Sequence, residues 1–347
     1  MGAFWRDQSE GITRREIESV GGGWSGLSLG IYLRRRGVPV RILEAGAYPR
    51  HKVCGEFVCG VSSEVLDEMG ISDVFAQARR HQKLAWWMGD DLVLQDHLPE
   101  EAIGLSRFRM DADLASLFEA AGGELITGMR AHREDADGRV WAVGKRKRGG
   151  KWIGLKVHAR DVDLEGLEMH VGRRGYLGLS GIEDGRVNCC GLFRINKAVD
   201  KKNMIASYLK VNGLNELHEK FCGWDIDGDS LSATAGFSLG VQQKAGAFCI
   251  GDASLLIPPF TGNGMSMAIE SSWLAGPWLE RFAKGELEWD AACLAYASSC
   301  EDYFGKRMRL AGSLHPLLFN STGRGLLKWS AVSGLLPFGF LFKQLRS

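Results

Sequence analysis

An α/β fold is predicted, with a β-α-β unit at the start, a mixed or antiparallel sheet in the middle and a helical C-terminus. Three observations point to it. "SVGGGWSGLSLG" at residues 19–30 is a glycine turn between a short strand and an apolar helix. Several short strand patterns with turn signals occupy residues 152–194, and the last 60 or so residues read mostly as helix.

Taken in order, residues 15–20 form a strand, although "REIESV" is more polar than the continuous apolar run of a buried parallel strand. From Ser25 to Arg36, Leu27, Leu29, Ile31 and Leu33 followed by three arginines and Gly37 give a helix with cations at its end and a glycine stop. "VPVRIL" at 38–43 is the second strand, ending at Glu44. Residues 61–80 have helical spacing. Residues 83–98 form a hairpin turning at Gly89-Asp90-Asp91. A helix at 111–121 and a strand at 124–129 follow, then the basic link "GKRKRGGK" at 144–151.

Strands are expected at 152–160, 166–171, 175–180 and 186–194, the last two joined through Glu183-Asp184-Gly185. A helix over about 200–220, a strand at 247–251 and a helix at 264–282 complete the pattern. The division this implies is discontinuous. Residues 1–80, 101–150 and 241–285 form a Rossmann-like domain, 81–100 and 151–240 a sheet-based substrate domain, and 286–347 a helical C-terminal region.

The chain has 347 residues, 45% hydrophobic and 24% charged, and 43 basic against 42 acidic side chains leave a net charge of +1. That balance gives no footprint for nucleic acid. Eight cysteines include no C-x-x-C pair and no Cys/His set at zinc spacing, so free thiols in a reducing, cytoplasmic compartment are expected and no metal. The N-terminal stretch lacks an apolar signal core. The nearest approach to a membrane span, 326–342, is broken by Lys328, Gly334, Pro337 and Gly339. If exposed, that segment would suit a peripheral membrane contact. Oligomeric state is not legible.

Gly21-x-Gly23-x-x-Gly26 follows a strand and opens a helix, with Glu44 18 residues past the last glycine. The first glycine allows the tight turn, the second lets backbone N–H groups approach a pyrophosphate, and the third lets helix and strand pack closely. Glu44 would bond the ribose hydroxyls of an adenosine half. The turn alone does not separate NAD from FAD. Trp24, a large indole within it, is expected to pack over the turn and to be expendable for cofactor retention.

A second stretch, "FCIGDASLLIPPFTGNGMSMAIESS" at 248–272, ends a strand in Gly251-Asp252 and opens a helix at Gly262-Asn263-Gly264. Here the sequence resembles the FAD-dependent oxidoreductases of the geranylgeranyl reductase-like group, relatives of the aromatic-hydroxylase flavoproteins. The resemblance implies a GR2-type FAD domain in which Asp252 meets the ribityl chain. Pro259, Gly262, Asn263, Gly264 and Met265 would face the N1/O2 edge of the flavin. "YPRHKVCGEF" at 48–57 matches the group's P-x-x-K-x-C-G segment through Pro49, Lys52, Cys54 and Gly55. Arg107 matches a cofactor-contacting arginine, and 175–193 resembles the substrate sheet. The matches span most of residues 15–285. The segment between the Arg107 helix and that sheet is shorter than is usual in the group, leaving Val140 to Gly144 as its remnant strand.

Cys54 is the catalytic candidate, and Lys52, Tyr176 and Ser180 are substrate-side candidates. Lys52 or Arg50 would attract an anionic substrate or reduced nicotinamide, or else form a solvated basic patch. Glu56 reads as a salt-bridged surface carboxylate or else a proton donor, and alternation along "LKVHAR" puts Lys156, His158 and Arg160 on an exposed or sheet-packing face. Trp86, Trp87 and the aromatics at 338, 340 and 342 would line an apolar tunnel or sit in the core. The expected activity is hydride transfer to a small apolar unsaturated substrate, isoprenoid, lipid or polyketide-like, with FAD reduced by NAD(P)H. The alternatives are an FAD-dependent monooxygenase of the aromatic-hydroxylase type and a non-catalytic or degenerate flavoprotein.

Overall fold

A computed structural model describes residues 4–6, 13–132, 134–144, 149–237, 247–254, 262–319, 321–333, 339, 342 and 344. The chain begins with β1 (Phe4–Arg6), β2 (Thr13–Arg15), β3 (Ile17–Val20), α1 (Trp24–Arg34), β4 (Val40–Leu43), β5 (Phe57–Val58) and α2 (Ser63–Met69). It continues through β6 (Arg79–Met88), β7 (Asp91–Gly104), α3 (Arg107–Ala120), β8 (Glu124–Ile126) and β9 (Arg139–Trp141). Next come β10 (Trp152–Arg160), β11 (Leu167–Val171), β12 (Gly175–Gly181), β13 (Val187–Arg194), α4 (Met204–Asn212), α5 (Asn215–Cys222) and β14 (Asp225–Phe237). The last elements are β15 (Phe248–Cys249), α6 (Gly264–Ala283), α7 (Trp289–Phe319) and α8 (Ser321–Val332).

One sheet runs β15-β9-β3-β4-β8 with every neighbour parallel. Its order reverses between β3 and β9, the switch point at which open parallel sheets leave a crevice for ligands. The polar β3 is admitted because Glu18 meets Arg139 on β9 at 2.6 Å, while Ile17 and Val20 are buried. Although the segment before it is short, Val140 and Trp141 pair with β15 and β3, so β9 fills its place in the sheet. Helix α1 is buried over residues 24–33 and packs between the sheet, α3 and α6, which explains why its apolar residues do not keep to one stripe. A Cβ on Gly30 would press into Phe118 and Ile42.

The second sheet has eight strands in the order β14-β10-β13-β12-β11-β6-β7-β5. All pairs are antiparallel except β6 with β11. Leu155, Val157, Ala159, Leu177, Leu179, Cys189 and Phe193 cover one face and pack with Ile205, Tyr208, Leu209 and Leu217 of α4 and α5. The helix expected over 200–220 is thus two, separated at Gly213, whose φ of +75° ends α4. The 13-residue strand β14 was not expected from "DIDGDSLSATAGF", where glycine and aspartate break the alternation. It holds to β10 through a register shift between Lys156 and His158. There Ser230 Oγ accepts the His158 backbone N–H at 2.7 Å and donates to Asp227 O, so a side chain bridges the bulge.

Candidate functional site

The glycine turn lies at the C-terminal ends of β3, β4 and β9. Gly21 has φ of +111°, and a Cβ there would overlap the carbonyl of Ala142. A Cβ on Gly26 would overlap the carbonyl of Gly21, which is the close helix-to-strand approach the third glycine permits. A Cβ on Gly23 would meet nothing within 4 Å, so open space stands over the N-terminus of α1. The buried carboxylate of Glu44 accepts from Gly22 N at 2.8 Å, Gly46 N at 2.8 Å and Arg50 Nη2 at 2.8 Å. Tyr48 donates its hydroxyl to Gly22 O. Arg50 therefore belongs to the Glu44 carboxylate rather than to a separate basic patch.

A second helix N-terminus is fastened beside the first. Trp24 Nε1 donates to Met265 O at 3.0 Å, Ser272 Oγ to Ser25 O at 2.9 Å, and Gly251 N to Ser271 Oγ at 2.9 Å. Gly251, with φ of +59°, opens the turn that carries Asp252 after β15, and Ser25 leaves no room for a side chain on it. Gly262 has φ of +69°, Asn263 is the N-cap residue of α6, and Gly264 faces open space. Two helix N-termini thus converge within the reach of one indole, and both favour negative charge. Trp24 does pack over the turn, edge-on to Phe75 at 5.7 Å, and it also ties α1 to α6. Pro259 lies outside the described residues, as do Phe338 and Phe340.

Between these N-termini and the eight-stranded sheet runs the segment 50–57. Cys54 Sγ lies 3.3 Å from Met265 Sδ, and Cys54 O accepts from Asn188 Nδ2 at 3.0 Å. Ser180 Oγ donates to Gly55 O at 2.7 Å, so this hydroxyl secures the segment to the sheet. Tyr176 is on the same sheet face, beside Met88, Val93 and Val171, and burial pushes its phenol above the ordinary value. Trp86 joins that cluster. Trp87 instead stacks on His170 at 5.6 Å, and Phe342 packs with Cys59, Ala102 and Leu167.

Glu56 is fully buried, which corrects the expectation of a surface carboxylate; Lys156 and His158 are fully buried too, so of the two readings of their face, exposed or sheet-packing, the packed one holds. Alternation assigned the faces of β10 correctly. The second face is covered because segment 50–57 lies against it. The Glu56 carboxylate accepts from Arg107 N at 2.9 Å, Lys156 Nζ at 3.2 Å and His158 Nε2 at 2.6 Å. Lys156 Nζ also meets His51 Nδ1 at 3.0 Å. His158 Nδ1 meets no hydrogen-bond partner among the described residues, so its ring is held from the Nε2 side alone. Burial lowers the Lys156 pKa against the pull of Glu56, and burial with Lys156 and His158 lowers that of His51.

Asp111 on α3 anchors the neighbouring charges. It takes Arg107 Nε at 2.7 Å and Arg107 Nη2 at 2.9 Å, and Lys52 Nζ at 2.6 Å. Burial works to raise the Asp111 pKa, but Arg107 and Lys52 outweigh it and hold it below the usual value. Three cations (Lys52, Arg107, Lys156) thus face two carboxylates (Glu56, Asp111). The surplus positive charge adjoins the two helix N-termini and suits an anion. Sequence reasoning found Lys52, Cys54 and Arg107 and weighed Glu56 and His158 singly, but it missed Asp111 and the joining of Glu56, Lys156 and His158 into one set. Their only trace was a polar stripe, Ser180, Asn188 and His158 in register on three neighbouring strands, which pairing alone reveals.

Residues 17–160 match the family described as FAD binding domain. Among curated proteins, conditioned medium factor receptor 1 of Dictyostelium discoideum is 41% identical over 56 residues, which are 16% of this chain and 11% of that protein. The fold is shared with two flavoproteins of known structure. PqsL of Pseudomonas aeruginosa, solved with 2-aminobenzoylacetate and described elsewhere as a probable FAD-dependent monooxygenase, is 15% identical. It matches with a TM-score of 0.71 over 92% of this chain and 98% of its own. The flavin-dependent brominase Bmp2 is 16% identical, with a TM-score of 0.74 over 95% and 92%. The chain therefore carries an FAD-binding, Rossmann-like domain joined to a mixed sheet, and the open space at Gly23 and Gly264 fits that cofactor.

Proposed function

We propose that this chain is an FAD-dependent monooxygenase that hydroxylates a small aromatic or apolar substrate, with NAD(P)H as the electron donor. FAD, when bound, supplies acceptance of a hydride from the nicotinamide and activation of oxygen. The observation that carries the reading is the convergence of two helix N-termini and a positively charged buried cluster on one sheet face. The likeness to PqsL favours oxygenation over reduction.

In this reading Gly21, Gly23 and Gly26 admit the pyrophosphate to the α1 N-terminus, and Glu44 holds the adenosine ribose. Asp252 takes the ribityl hydroxyls, and the amides of Gly264 and Met265, with Gly262 and Asn263 shaping the turn, stabilise negative charge at the pyrimidine edge. Arg107, set by its fork on Asp111, adds to that field. Cys54, in contact with Met265, would help hold the flavin. Tyr176 lines the substrate side, Lys52 draws in an anionic group, and Ser180 keeps segment 50–57 seated. Glu56 and His158 hold a proton between fixed atoms without access to water.

The Pro49, Lys52, Cys54 and Gly55 segment supports a second reading, kinship to the geranylgeranyl reductase-like group and hydride transfer to an unsaturated apolar substrate. Labelled oxygen separates the two. Candidate aromatic compounds are supplied with NAD(P)H under ¹⁸O₂, and hydroxylated product carrying ¹⁸O is expected. A saturated product without label would replace the first reading by the second. Protein that is colourless and takes up no FAD would overturn both.

A further inference from the structure

One of the buried charges has a neighbour that reaches solvent. Glu56, Lys156 and His158 have no exposed side-chain area. His51, on the same segment as Glu56, is partly exposed, and its Nδ1 lies 3.0 Å from Lys156 Nζ. Phe108 of α3 stacks on the His51 ring at 4.5 Å with 25° between the planes, and His158 stands edge-on to it at 5.2 Å. Two rings thus hold the imidazole against Lys156. An ammonium has only donors, so with Lys156 charged His51 Nδ1 accepts and the ring carries its own proton on Nε2.

The surroundings of the pair are mixed in charge. His51 is faced by Lys156 and His158 of β10, by Glu56 of its own segment and by Asp227 of β14, and Lys156 by Glu56, Cys54 and His51 of the segment and Cys190 of β13. Burial lowers the Lys156 pKa, which makes its ammonium a readier proton donor than a solvated lysine. Inward, Glu56 Oε1 lies 3.2 Å from Lys156 Nζ, and Cys54, two residues before Glu56, touches Met265 in the first turn of α6. His51, Lys156 and Glu56 therefore lead in series from the surface to the segment that flanks the cofactor site.

We propose that His51 and Lys156 form the route by which a solvent proton enters the buried face between segment 50–57 and the sheet. Lys156 gives an Nζ proton to the Glu56 carboxylate and is left a neutral amine. His51 takes a proton from water to become an imidazolium, and its Nδ1 proton then passes to Nζ. The ammonium and the neutral ring are restored, with one proton moved inward and none lost. The inference rests on the FAD-dependent reading and holds for either reaction. Hydroxylation, in which NAD(P)H, H⁺, O₂ and RH give NAD(P)⁺, ROH and H₂O, consumes one proton, and so does reduction of a C=C bond by NAD(P)H and H⁺.

Two measurements test it. In the FAD-free chain, an NMR titration of His51 should fall at higher pH in Lys156→Met than in the parent, because a positive neighbour is gone; identical titrations overturn the proposal. In the FAD-loaded chain, anaerobic reduction by dithionite supplies two electrons and draws one proton from solvent, which a pH indicator follows in stopped flow. His51→Phe keeps a ring against Phe108 but carries no proton, and its proton uptake is expected to slow by on the order of tenfold or more. His51→Gly should be equally slow and recover as imidazole is added, a response that a merely structural role for His51 would not give. Unchanged uptake in His51→Phe, or a slow His51→Gly that imidazole does not restore, overturns the proposal alone. A parent chain that takes up no FAD is recognised before reduction begins and overturns the FAD-dependent reading together with it.

Discussion

Replacing Lys156 by methionine keeps the length of the side chain and removes its charge from a fully buried site. Glu56 then keeps Arg107 N and His158 Nε2 but loses the cation 3.2 Å away. Breaking a buried ion pair from one side costs about 3–5 kcal/mol, because the remaining charge has neither water nor a partner. Glu56→Gln strips the same pair from the other side and should cost a similar amount. The double variant removes both charges and should lose less than the two single losses added together, with a coupling of at least about 2 kcal/mol. Urea unfolding, followed by tryptophan fluorescence and far-ultraviolet circular dichroism, measures all four proteins. Simple additivity, or a loss below about 1 kcal/mol for either single variant, would refute the buried pair.

Three other outcomes follow from the same geometry. Gly23→Ala points its methyl into open space, so it should cost under about 1 kcal/mol of stability yet sharply weaken FAD capture; Gly26→Ala should lose stability too, by about 1–3 kcal/mol, since its methyl meets backbone. Equal melting temperatures for the two variants would contradict this. Trp24→Ala, which looks expendable from sequence, should cost about 3–5 kcal/mol and loosen the flavin, because it removes the Phe75 contact and the tie to Met265; flavin retention at parental stability would restore the packing-only role. Burial lowers both His51 and His81 below 6.5, so the unfolded chain binds protons first on acidification. Stability is whole above that value and lost as pH falls through the lowered folded values, and melting temperature should fall as pH drops below about 6.5, less steeply in His51→Gln and His81→Gln. A flat profile in the parent protein would contradict the sign.

The parallel half of the fold was legible because its signals are local: Gly21, Gly23 and Gly26 between β3 and α1, and Glu44 at the end of β4. The buried charges were not. Lys156 and His158 alternate with Leu155 and Val157 as a solvent face would, and only the docking of residues 50–57 turns that face inward. Glu56 adopts φ of +55°, a conformation unusual for its type, so no propensity foretold it. Trp24 shows the limit from the other direction, since packing was predictable and its partner 241 positions away was not.

FAD capture by the purified chain and by Gly23→Val tests most directly whether the glycine turn at the switch point holds the cofactor. The parent should take up FAD stoichiometrically. Gly23→Val, with an unchanged far-ultraviolet spectrum, should take up none. Equal FAD capture by both proteins would contradict the site described for this fold.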